Sequence, residues 1–243
     1  MHRCLIGSGD WERGNITLGS TEAHHLVHVL RARKGDSILA FDGKGREARA
    51  VVEDEREALI RVVESPLFYP KAACEIVLIQ ALPKGQKMDF IMEKAAEMGA
   101  SAVWPVITER VVVRLDDSAR ADRIERWGRI LLSAARQCGA CWLPEVRPIT
   151  DYARALGEFR ADELLLVGAL QADSEPIREV LTKIRDTRPR RVGLVIGPEG
   201  DLTAEEMRQA VDHHAVPVNF GTRVLRAETA ALFGISVLAY EFL

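Results

Sequence analysis

The sequence predicts an α/β protein, a mostly parallel sheet with helices on both faces, preceded by a small β-rich unit. From residue 74 onward, short apolar runs alternate with helical patterns, as in successive strand–helix units. The apolar runs at residues 192–196 and 216–220 show no polar alternation, which is typical of parallel strands covered on both faces. Before residue 70, short strand patterns instead surround the Asp-Gly turn signal at Asp42-Gly43.

The β-rich unit is predicted to span residues 1–68 and the larger domain residues 72–243, with a linker between Pro66 and Pro70. A short helix is expected at residues 21–30 in the first unit. Its strands are expected at residues 37–41, 47–53 and 58–63.

The larger domain should contain five strands and five helices. The strands are predicted at residues 74–80, 102–107, 163–168, 192–196 and 216–220. Pro105 indicates that the second of these is an edge strand or carries a bulge. The helices are predicted from Met88 to Gly99, from Ser118 to Gly139, over residues 177–184, after the capping box Thr203–Glu206, and over residues 228–240.

Composition limits the classes of function. The chain has 243 residues, of which 47% are hydrophobic. It contains no apolar run long enough for a membrane span and no signal-peptide pattern, so a cytoplasmic protein is expected. The net charge is −3, and residues 1–70 hold ten Lys plus Arg against eleven Asp plus Glu, a net of −1. Nucleic acid could therefore be bound only through local basic patches. The four cysteines are expected to be reduced.

Two glycine turns predict the ligand site. Residues 197–200 and 221–229 follow two strands, and open α/β sheets bind ligands at the carboxyl ends of their strands. Neither turn has the pattern of a phosphate loop or of a dinucleotide-binding loop. An ordinary strand-to-helix turn is the alternative for residues 197–200. Arg223, Arg226 and Glu228 stand at the mouth of an apolar segment, where a ligand or a salt bridge to Glu199 would offset the cost of burial.

Two further patterns are weak. Cys138 and Cys141 have redox or half-zinc spacing without a second pair, and His24 and His28 share a helix face without an acidic or cysteine partner. No metal is expected at either place. Of the tryptophans, only Trp142, beside the Cys138–Cys141 turn, is placed to stack on a base.

Seven motifs in order resemble the RsmE family, the small-subunit (16S) ribosomal RNA uridine-N3 methyltransferases of the SPOUT superfamily. The resemblance covers nearly the whole chain, since His25–Arg31 and Gly35-Asp36 are similar to the small domain of that family. The seven motifs are Lys84-Gly-Gln-Lys-Met-Asp-Phe90, Glu97-Met-Gly99, Glu109-Arg110, Gln137-Cys-Gly139, Pro144-Glu145, Ile196-Gly-Pro-Glu-Gly200 and Arg223-Val-Leu-Arg-Ala-Glu-Thr229.

The resemblance implies a deep trefoil knot in the larger domain, a PUA-like β-barrel in the small one, S-adenosylmethionine as cofactor, and a homodimer acting on 16S ribosomal RNA. The knot runs against the general rule that chains avoid knots. By motif match, the cofactor contacts fall on Leu170, Ile196, Gly197, Glu199, Gly200, Phe220, Gly221, Val224, Leu225 and Arg226. The RNA contacts fall on His25, Arg31, Arg33, Lys84, Lys87, Arg110, Arg136 and Arg223.

Uridine N3 is protonated at neutral pH and must lose its proton before or during attack on a methyl group. A cation near O2 or O4 would stabilise the developing charge, and a carboxylate could accept the proton. Arg226 is predicted to be the cation. Glu228 is the candidate base, with orientation of Arg226 as its alternative role.

Three departures from the family pattern concern the RNA target more than the cofactor. The usual arginine after Gln-Cys-Gly is Ala140, and Arg136 replaces a glutamate, so we hypothesise that Arg136 partly takes over the RNA contact of the missing arginine. A second glycine is replaced by Asp201, and the usual Thr-Glu-Thr begins with Ala227. The alternatives are another SPOUT methyltransferase with a different base or ribose as target, and a non-catalytic RNA-binding relative.

Overall fold

The computed structural model describes residues 2–111, 116–170, 174–185 and 187–243. The chain forms two compact units. The first comprises residues 1–71 together with 135–143, and the second comprises residues 72–134 and 144–243. The return of residues 135–143 to the first unit is not indicated by any pattern in the sequence.

The first unit is built on a six-stranded sheet in the order β1-β3-β4-β5-β2, with β6 also paired to β4. β1 and β3 are parallel, and the other pairs are antiparallel. The strands are β1 (His2–Leu5), β2 (Asn15–Thr17), β3 (Ser37–Phe41), β4 (Arg46–Asp54), β5 (Leu59–Val62) and β6 (Leu67–Phe68). The three strands predicted here are confirmed, whereas β1 and β2 were not anticipated.

Two local features differ from the prediction. The linker expected between Pro66 and Pro70 contains β6, whose two residues pair with β4. The short helix is present as α1 (Ser20–His24), but it continues as a π-helical turn over His25–Val29.

The second unit contains an eight-stranded sheet in which every pair is parallel, which confirms the predicted architecture. The order is β10-β8-β7-β13-β11-β14-β12, with β9 also paired to β8. The strands are β7 (Glu75–Ala81), β8 (Ala102–Ile107), β9 (Glu145–Val146), β10 (Thr150–Asp151), β11 (Leu164–Gly168), β12 (Glu175–Pro176), β13 (Arg191–Ile196) and β14 (Val216–Asn219).

Helices cover both faces of this sheet. On β7, Ile76 and Leu78 enter one buried cluster with residues of α2, α5 and α7, while Val77 and Ile79 enter a second cluster with residues of α4 and α6. Successive side chains of a strand point to opposite faces, so the two clusters lie on opposite sides of the sheet. The helices are α2 (Lys87–Glu97), α3 (Asp117–Cys138), α4 (Tyr152–Leu156), α5 (Ile177–Ile184), α6 (Ala204–Asp212) and α7 (Ala227–Phe242).

Pro105 does not lie in an edge strand, but it lies at an irregularity of the ladder, because three steps along β8 from Val103 to Val106 oppose four steps from Val146 to Thr150. β8 has β7 on one side and the short strands β9 and β10 on the other. The Val103 carbonyl accepts a hydrogen bond from the Arg147 N–H, and Pro105, two residues on, turns its nitrogen to the same side. That side faces residues 147–149, between β9 and β10, where no ladder hydrogen bond is required.

The N-termini of α6 and α3 are capped by side chains that accept backbone hydrogen bonds. Thr203 and Glu206 form the predicted capping box at α6, each side chain accepting a hydrogen bond from the backbone N–H of the other. α3 begins earlier than predicted, because Asp116 rather than Ser118 accepts the first-turn N–H, from Ala119 at 2.8 Å. Within the described ranges, no helix has both the length and the apolar character required to cross a membrane.

Candidate functional site

A pocket of about 730 Å³ lies at the carboxyl ends of β11, β13 and β14. The two strands that carry the predicted glycine turns are not adjacent, since β11 stands between them in the sheet. The segment that follows β11 therefore also reaches the pocket, through Gly168, Ala169 and Leu170. This is the position at which parallel sheets bind ligands, and the volume is that of a small-molecule site.

Nine of the ten residues predicted to contact a cofactor line this pocket. They are Leu170, Ile196, Gly197, Glu199, Phe220, Gly221, Val224, Leu225 and Arg226. The exception is Gly200, which is absent from the lining and whose carbonyl oxygen accepts a hydrogen bond of 2.6 Å from Nη1 of Arg110. The pocket thus brings together residues from separate parts of the sequence at the ends of three strands.

The turn after β13 is tight and closed by its own backbone. The Asp201 N–H donates to the Pro198 carbonyl at 2.9 Å, and Asp201 itself has φ of +61°, in the left-handed region that favours glycine. A Cβ on Gly197 would lie 3.2 Å from both Cγ and the backbone nitrogen of Leu202. A side chain at Gly197 would therefore require Leu202 to shift by a few tenths of an ångström, and Gly197, Pro198 and Glu199 all line the pocket.

Glu199 ties this turn to the start of α2. Its Oε1 accepts hydrogen bonds from the Lys84 N–H at 3.1 Å and from Nζ of Lys87 at 2.9 Å. Nζ of Lys87 also lies 3.3 Å from Oε2 of Glu228, in the first turn of α7. Lys87 therefore links the two turns that form the pocket, in place of the direct salt bridge considered for Glu199.

The charges in this cluster support one another. Partial burial acts to raise the pKa of Glu199, but hydrogen bonds from Lys87 and from the backbone, together with the Lys87 charge, hold that pKa below its usual value of 4.5. The hydrogen bond to Glu199 raises the pKa of Lys87 against a smaller effect of desolvation, with Glu228 adding to the rise. Both groups stay charged at neutral pH.

Arg226 and Glu228 occupy different positions. Arg226 lines the pocket, is exposed, and precedes α7, where its carbonyl accepts the Ala230 N–H at 2.8 Å. Glu228 is outside the lining and mostly buried, with 16% of its side chain exposed. The geometry therefore places Arg226 in the pocket wall and Glu228 beside Lys87.

The predicted RNA contacts fall into two sets. Arg223 lines the pocket, and Lys84, Lys87 and Arg110 contact its first turn, so these four lie around one site. The other set belongs to the first unit and comprises His25, Arg31, Arg33 and Arg136.

Within the first unit, Arg136 is engaged internally. Its guanidinium pairs with Glu22, and only 13% and 11% of the two side chains are exposed. His25 is half-buried, and burial followed by the charge of Arg136 lowers its pKa. Arg31 and Arg33 are exposed, and Arg33 lies 3.9 Å from Glu55. An RNA contact by Arg136 stays a prediction, and it would require the pair with Glu22 to open.

Some lining residues were not identified from the sequence. Asn219 ends β14 and Ala230 lies one helical turn after Arg226, so the strand end and the helical period could have indicated both. No sequence pattern indicated that Ser174 and Pro176 line the pocket, because the pairing of β12 with β14 is not visible in the sequence. The Asn219 amide donates to the Ser174 carbonyl at 2.9 Å and so fixes that wall.

In the part of the chain that the structure describes, no three His, Cys, Asp or Glu side chains form a group able to hold a metal ion. The four cysteines are free thiols.

Comparison with known proteins identifies the family. The model of the RNA methyltransferase domain matches residues 70–239, and that of the RNA methyltransferase PUA domain matches residues 18–63. Ribosomal RNA small subunit methyltransferase E of Bacillus subtilis is 29% identical over 236 residues, which cover 95% of this chain and 91% of that protein. Its counterpart in Mycobacterium bovis is 31% identical over 219 residues, covering 89% and 83%.

A solved structure agrees with these relatives. Ribosomal RNA small subunit methyltransferase E from Neisseria gonorrhoeae, bound to S-adenosyl methionine, is 32% identical and superposes with a TM-score of 0.87 over 98% of this chain and 96% of that one. The chain therefore belongs to the RNA methyltransferase family that contains ribosomal RNA small subunit methyltransferase E.

Proposed function

We propose that this protein uses S-adenosylmethionine to methylate N3 of a uridine in the 16S ribosomal RNA of the small ribosomal subunit. The observation that carries the proposal is the pocket at the ends of three parallel strands, with nine of the predicted cofactor contacts in its lining. The solved relative from Neisseria gonorrhoeae was bound to S-adenosyl methionine, which supports the same ligand here.

The lining fits this cofactor chemically. S-adenosylmethionine carries a carboxylate, an ammonium group and a sulfonium, together with a flat adenine. The pocket offers Arg223 for the anionic group, Glu199 and Asp201 for the cationic groups, and apolar surface that includes Phe220. A pocket of about 730 Å³ accommodates a ligand of that size.

The chemistry assigned to the chain follows from these positions. When bound, S-adenosylmethionine supplies an electrophilic methyl group. Arg226 is proposed to stabilise negative charge that develops on a uracil oxygen, since its exposed guanidinium belongs to the pocket wall. Glu228 is proposed as the acceptor of the N3 proton, or as the group that orients Arg226.

The surroundings of Glu228 favour its second proposed role, the orientation of Arg226, over its first, the acceptance of the N3 proton. The Glu228 carboxylate lies outside the pocket lining, and its Oε2 is 3.3 Å from Nζ of Lys87. The same lysine holds Glu199 on the cofactor turn. In this proposal, Lys87 keeps the two turns at a fixed spacing, so that the cofactor and the uracil meet in line.

Further features of the family are also proposed for this chain. They are a trefoil knot in the larger domain, a PUA-like barrel in residues 1–68, a cytoplasmic location, and a homodimer whose two subunits share the RNA. Exposed apolar side chains on α7 and directly after it support the homodimer: Tyr240 is 89% exposed, and Phe233 on α7 and Leu243 after it are also exposed.

Arg226 gives the direct test of the proposed mechanism. We expect Arg226→Ala to lower the rate of methyl transfer to small-subunit RNA by about a hundredfold or more. Titration calorimetry should still detect binding of S-adenosylmethionine. Arg178→Ala, at an exposed arginine of α5 outside the pocket lining, is the matched control and should keep both properties.

Two results would contradict the proposal. Near-normal methyl transfer by a folded Arg226→Ala protein would remove Arg226 from the mechanism. Absence of detectable S-adenosylmethionine binding by the unaltered protein would exclude the enzyme function itself and favour a non-catalytic RNA-binding relative.

A further inference from the structure

The first unit exposes a group of aromatic side chains that the pocket does not use. The group, called here the aromatic patch, consists of Phe68, Tyr69 and Trp142. Phe68 is 64% exposed and Tyr69 42% exposed, and Trp142 is partly exposed. Large aromatic side chains are seldom left in water without a ligand or partner when they lie together.

The patch is held in a fixed shape. The rings of Phe68 and Trp142 meet edge to face, with centroids 6.4 Å apart and an interplanar angle of 77°. The indole N–H of Trp142 donates to the Tyr69 carbonyl at 2.9 Å. Gly45, with φ of +96°, leaves no room for a side chain, because a Cβ there would lie 2.6 Å from the Tyr69 carbonyl and 2.7 Å from the Trp142 nitrogen.

Cations surround these rings. Arg46 is directly opposite Phe68 in the antiparallel pair of β4 and β6, so both side chains leave the same face of the sheet. Lys44 is exposed, and its backbone pairs with that of Trp142 in an isolated β-bridge. Nζ of Lys71 lies 6.0 Å from the centroid of the Trp142 ring.

The carboxylates of Asp42 and Glu47, next to these basic residues in the sequence, bind partners other than the aromatic patch. Asp42, in the same turn, is 8% exposed, and its carboxylate accepts hydrogen bonds from Trp11 and from the backbone of Lys44 and Arg46. Glu47, next to Arg46, belongs to the opposite face of β4 and pairs with Arg3. Asp42 and Glu47 are therefore engaged away from the rings, while Arg46 stands on the same face of the sheet as Phe68.

We propose that the aromatic patch is a stacking platform for unpaired bases of the RNA substrate, with Phe68 as the principal stacking ring. Exposed rings bordered by Lys and Arg match a base and its phosphate at once, which is how single-stranded nucleic acid is bound without sequence readout. A duplex hides the faces of its bases, so the platform selects a loop, bulge or melted segment. The inference rests on the proposed function, since it presupposes an RNA substrate.

The test compares three substitutions of Phe68 in the full-length protein. A fluorescein-labelled single-stranded oligouridylate is titrated with each protein, and fluorescence anisotropy gives the dissociation constant. Phe68→Ala should weaken binding roughly tenfold, because stacking on one base is lost. Phe68→Leu should weaken it similarly, because an aliphatic chain keeps the apolar area but cannot stack. Phe68→Trp should remain within about twofold of the unaltered protein.

Controls separate stacking from other effects. Val63→Ala removes an exposed apolar side chain of the same unit, 38% exposed, and should leave RNA binding unchanged. The same oligouridylate annealed to oligoadenylate should show little dependence on Phe68. Unchanged affinity in both Phe68→Ala and Phe68→Leu would overturn the proposal, as would an equal loss in Phe68→Trp. A change of oligomeric state in Phe68→Ala with unchanged RNA affinity would overturn it as well and would show a protein-docking surface.

Calorimetry with S-adenosylmethionine distinguishes failure of this inference from failure of the proposed function. The Phe68 variants should bind the cofactor like the unaltered protein, because Phe68 is not part of the pocket lining. If the unaltered protein binds no cofactor, the proposed function fails, while the RNA titration still decides whether Phe68 stacks on bases.

Discussion

Lys87 is the residue on which the two sides of the pocket depend. Its ammonium group lies 2.9 Å from Oε1 of Glu199 and 3.3 Å from Oε2 of Glu228. The resemblance to the RsmE family implied that Lys87 contacts RNA. The ion pairs were not predictable, since Glu199 is 112 positions away along the chain and becomes a neighbour only through the sheet order.

The pH dependence of stability should report this cluster. The lowered pKa of Glu199 means that its contribution is present above the usual value of 4.5 and is lost as the pH falls through the lowered pKa. The raised pKa of Lys87 means that its contribution is present below 10.5 and is lost as the pH rises through the raised pKa.

Lys87→Met should therefore lower the free energy of unfolding most between about pH 5 and pH 10. The difference from the unaltered protein should shrink on both sides of that range. Denaturant unfolding at a series of pH values measures it, with Lys84→Met as the control, because Lys84 contributes its backbone N–H to Glu199. A difference that does not vary with pH would show that Lys87 acts by packing alone.

At the scale of single elements, helix α6 ends in a strained residue. His214 follows the helix with φ of +64°, while its neighbour His213 has φ of −90°. Glycine is preferred at the left-handed position after a helix. We expect His214→Gly to stabilise the protein by about 1 kcal/mol and to raise the apparent melting temperature by about 2–4 °C.

His213→Gly is the matched control for that prediction. Its backbone is not in the left-handed region, so glycine should only add flexibility and should lower the melting temperature. Equal effects of the two substitutions, measured by thermal unfolding, would contradict the assignment of strain to His214.

Helix α7 approaches the sheet at Gly234. A Cβ at this position would lie 2.4 Å from Cδ2 of Leu194, a fully buried side chain of β13. Gly234→Ala should gain about 1 kcal/mol of helix propensity but lose about 1–3 kcal/mol to overpacking, for a net loss on the order of 1 kcal/mol.

Ser236→Ala, on the same helix but exposed, is the control for Gly234→Ala and should change the free energy of unfolding by less than about 0.5 kcal/mol. Denaturant unfolding compares the two variants. A stabilising effect of Gly234→Ala would contradict the close packing of α7 on β13.

Elements with a strong pattern were predictable, and very short ones were not. The apolar runs of β7, β11, β13 and β14 identified those strands because burial on both faces leaves a continuous apolar signal. β6, β9, β10 and β12 have two residues each, too few for any period to be visible. One of these short strands, β12, borders the pocket, which explains why its Pro176 was missed.

At the scale of the whole molecule, the division into units was only partly visible. The change of pattern near Pro66 and Pro70 marks the end of the first continuous segment. The membership of residues 135–143 in the first unit was not visible, because it depends on contacts such as that of Nη1 of Arg3 with the Ala135 carbonyl, at 2.9 Å. Contacts between distant segments leave no local period.

The proposed homodimer predicts how a substitution on α7 changes the oligomeric state. Tyr240 is 89% exposed on α7, and burying it against a second copy would explain an aromatic ring there. Tyr240→Asp should shift the protein from dimer to monomer in sedimentation velocity, because a charge would be buried without a partner. Val211→Asp, at an exposed position of α6, should leave the oligomeric state unchanged. A monomeric unaltered protein would refute the homodimer.

The central claim, methylation of uridine N3 in 16S ribosomal RNA, is tested most directly by mass spectrometry of that RNA. The RNA is taken from a strain lacking the gene, from the same strain with the gene restored, and from one carrying Arg226→Ala. We predict that one 3-methyluridine is lost without the gene, returns with the unaltered gene, and stays absent or strongly reduced with Arg226→Ala. An unchanged set of methylated nucleosides in all three strains, or loss of a methyl group from a different base or ribose, would contradict the claim.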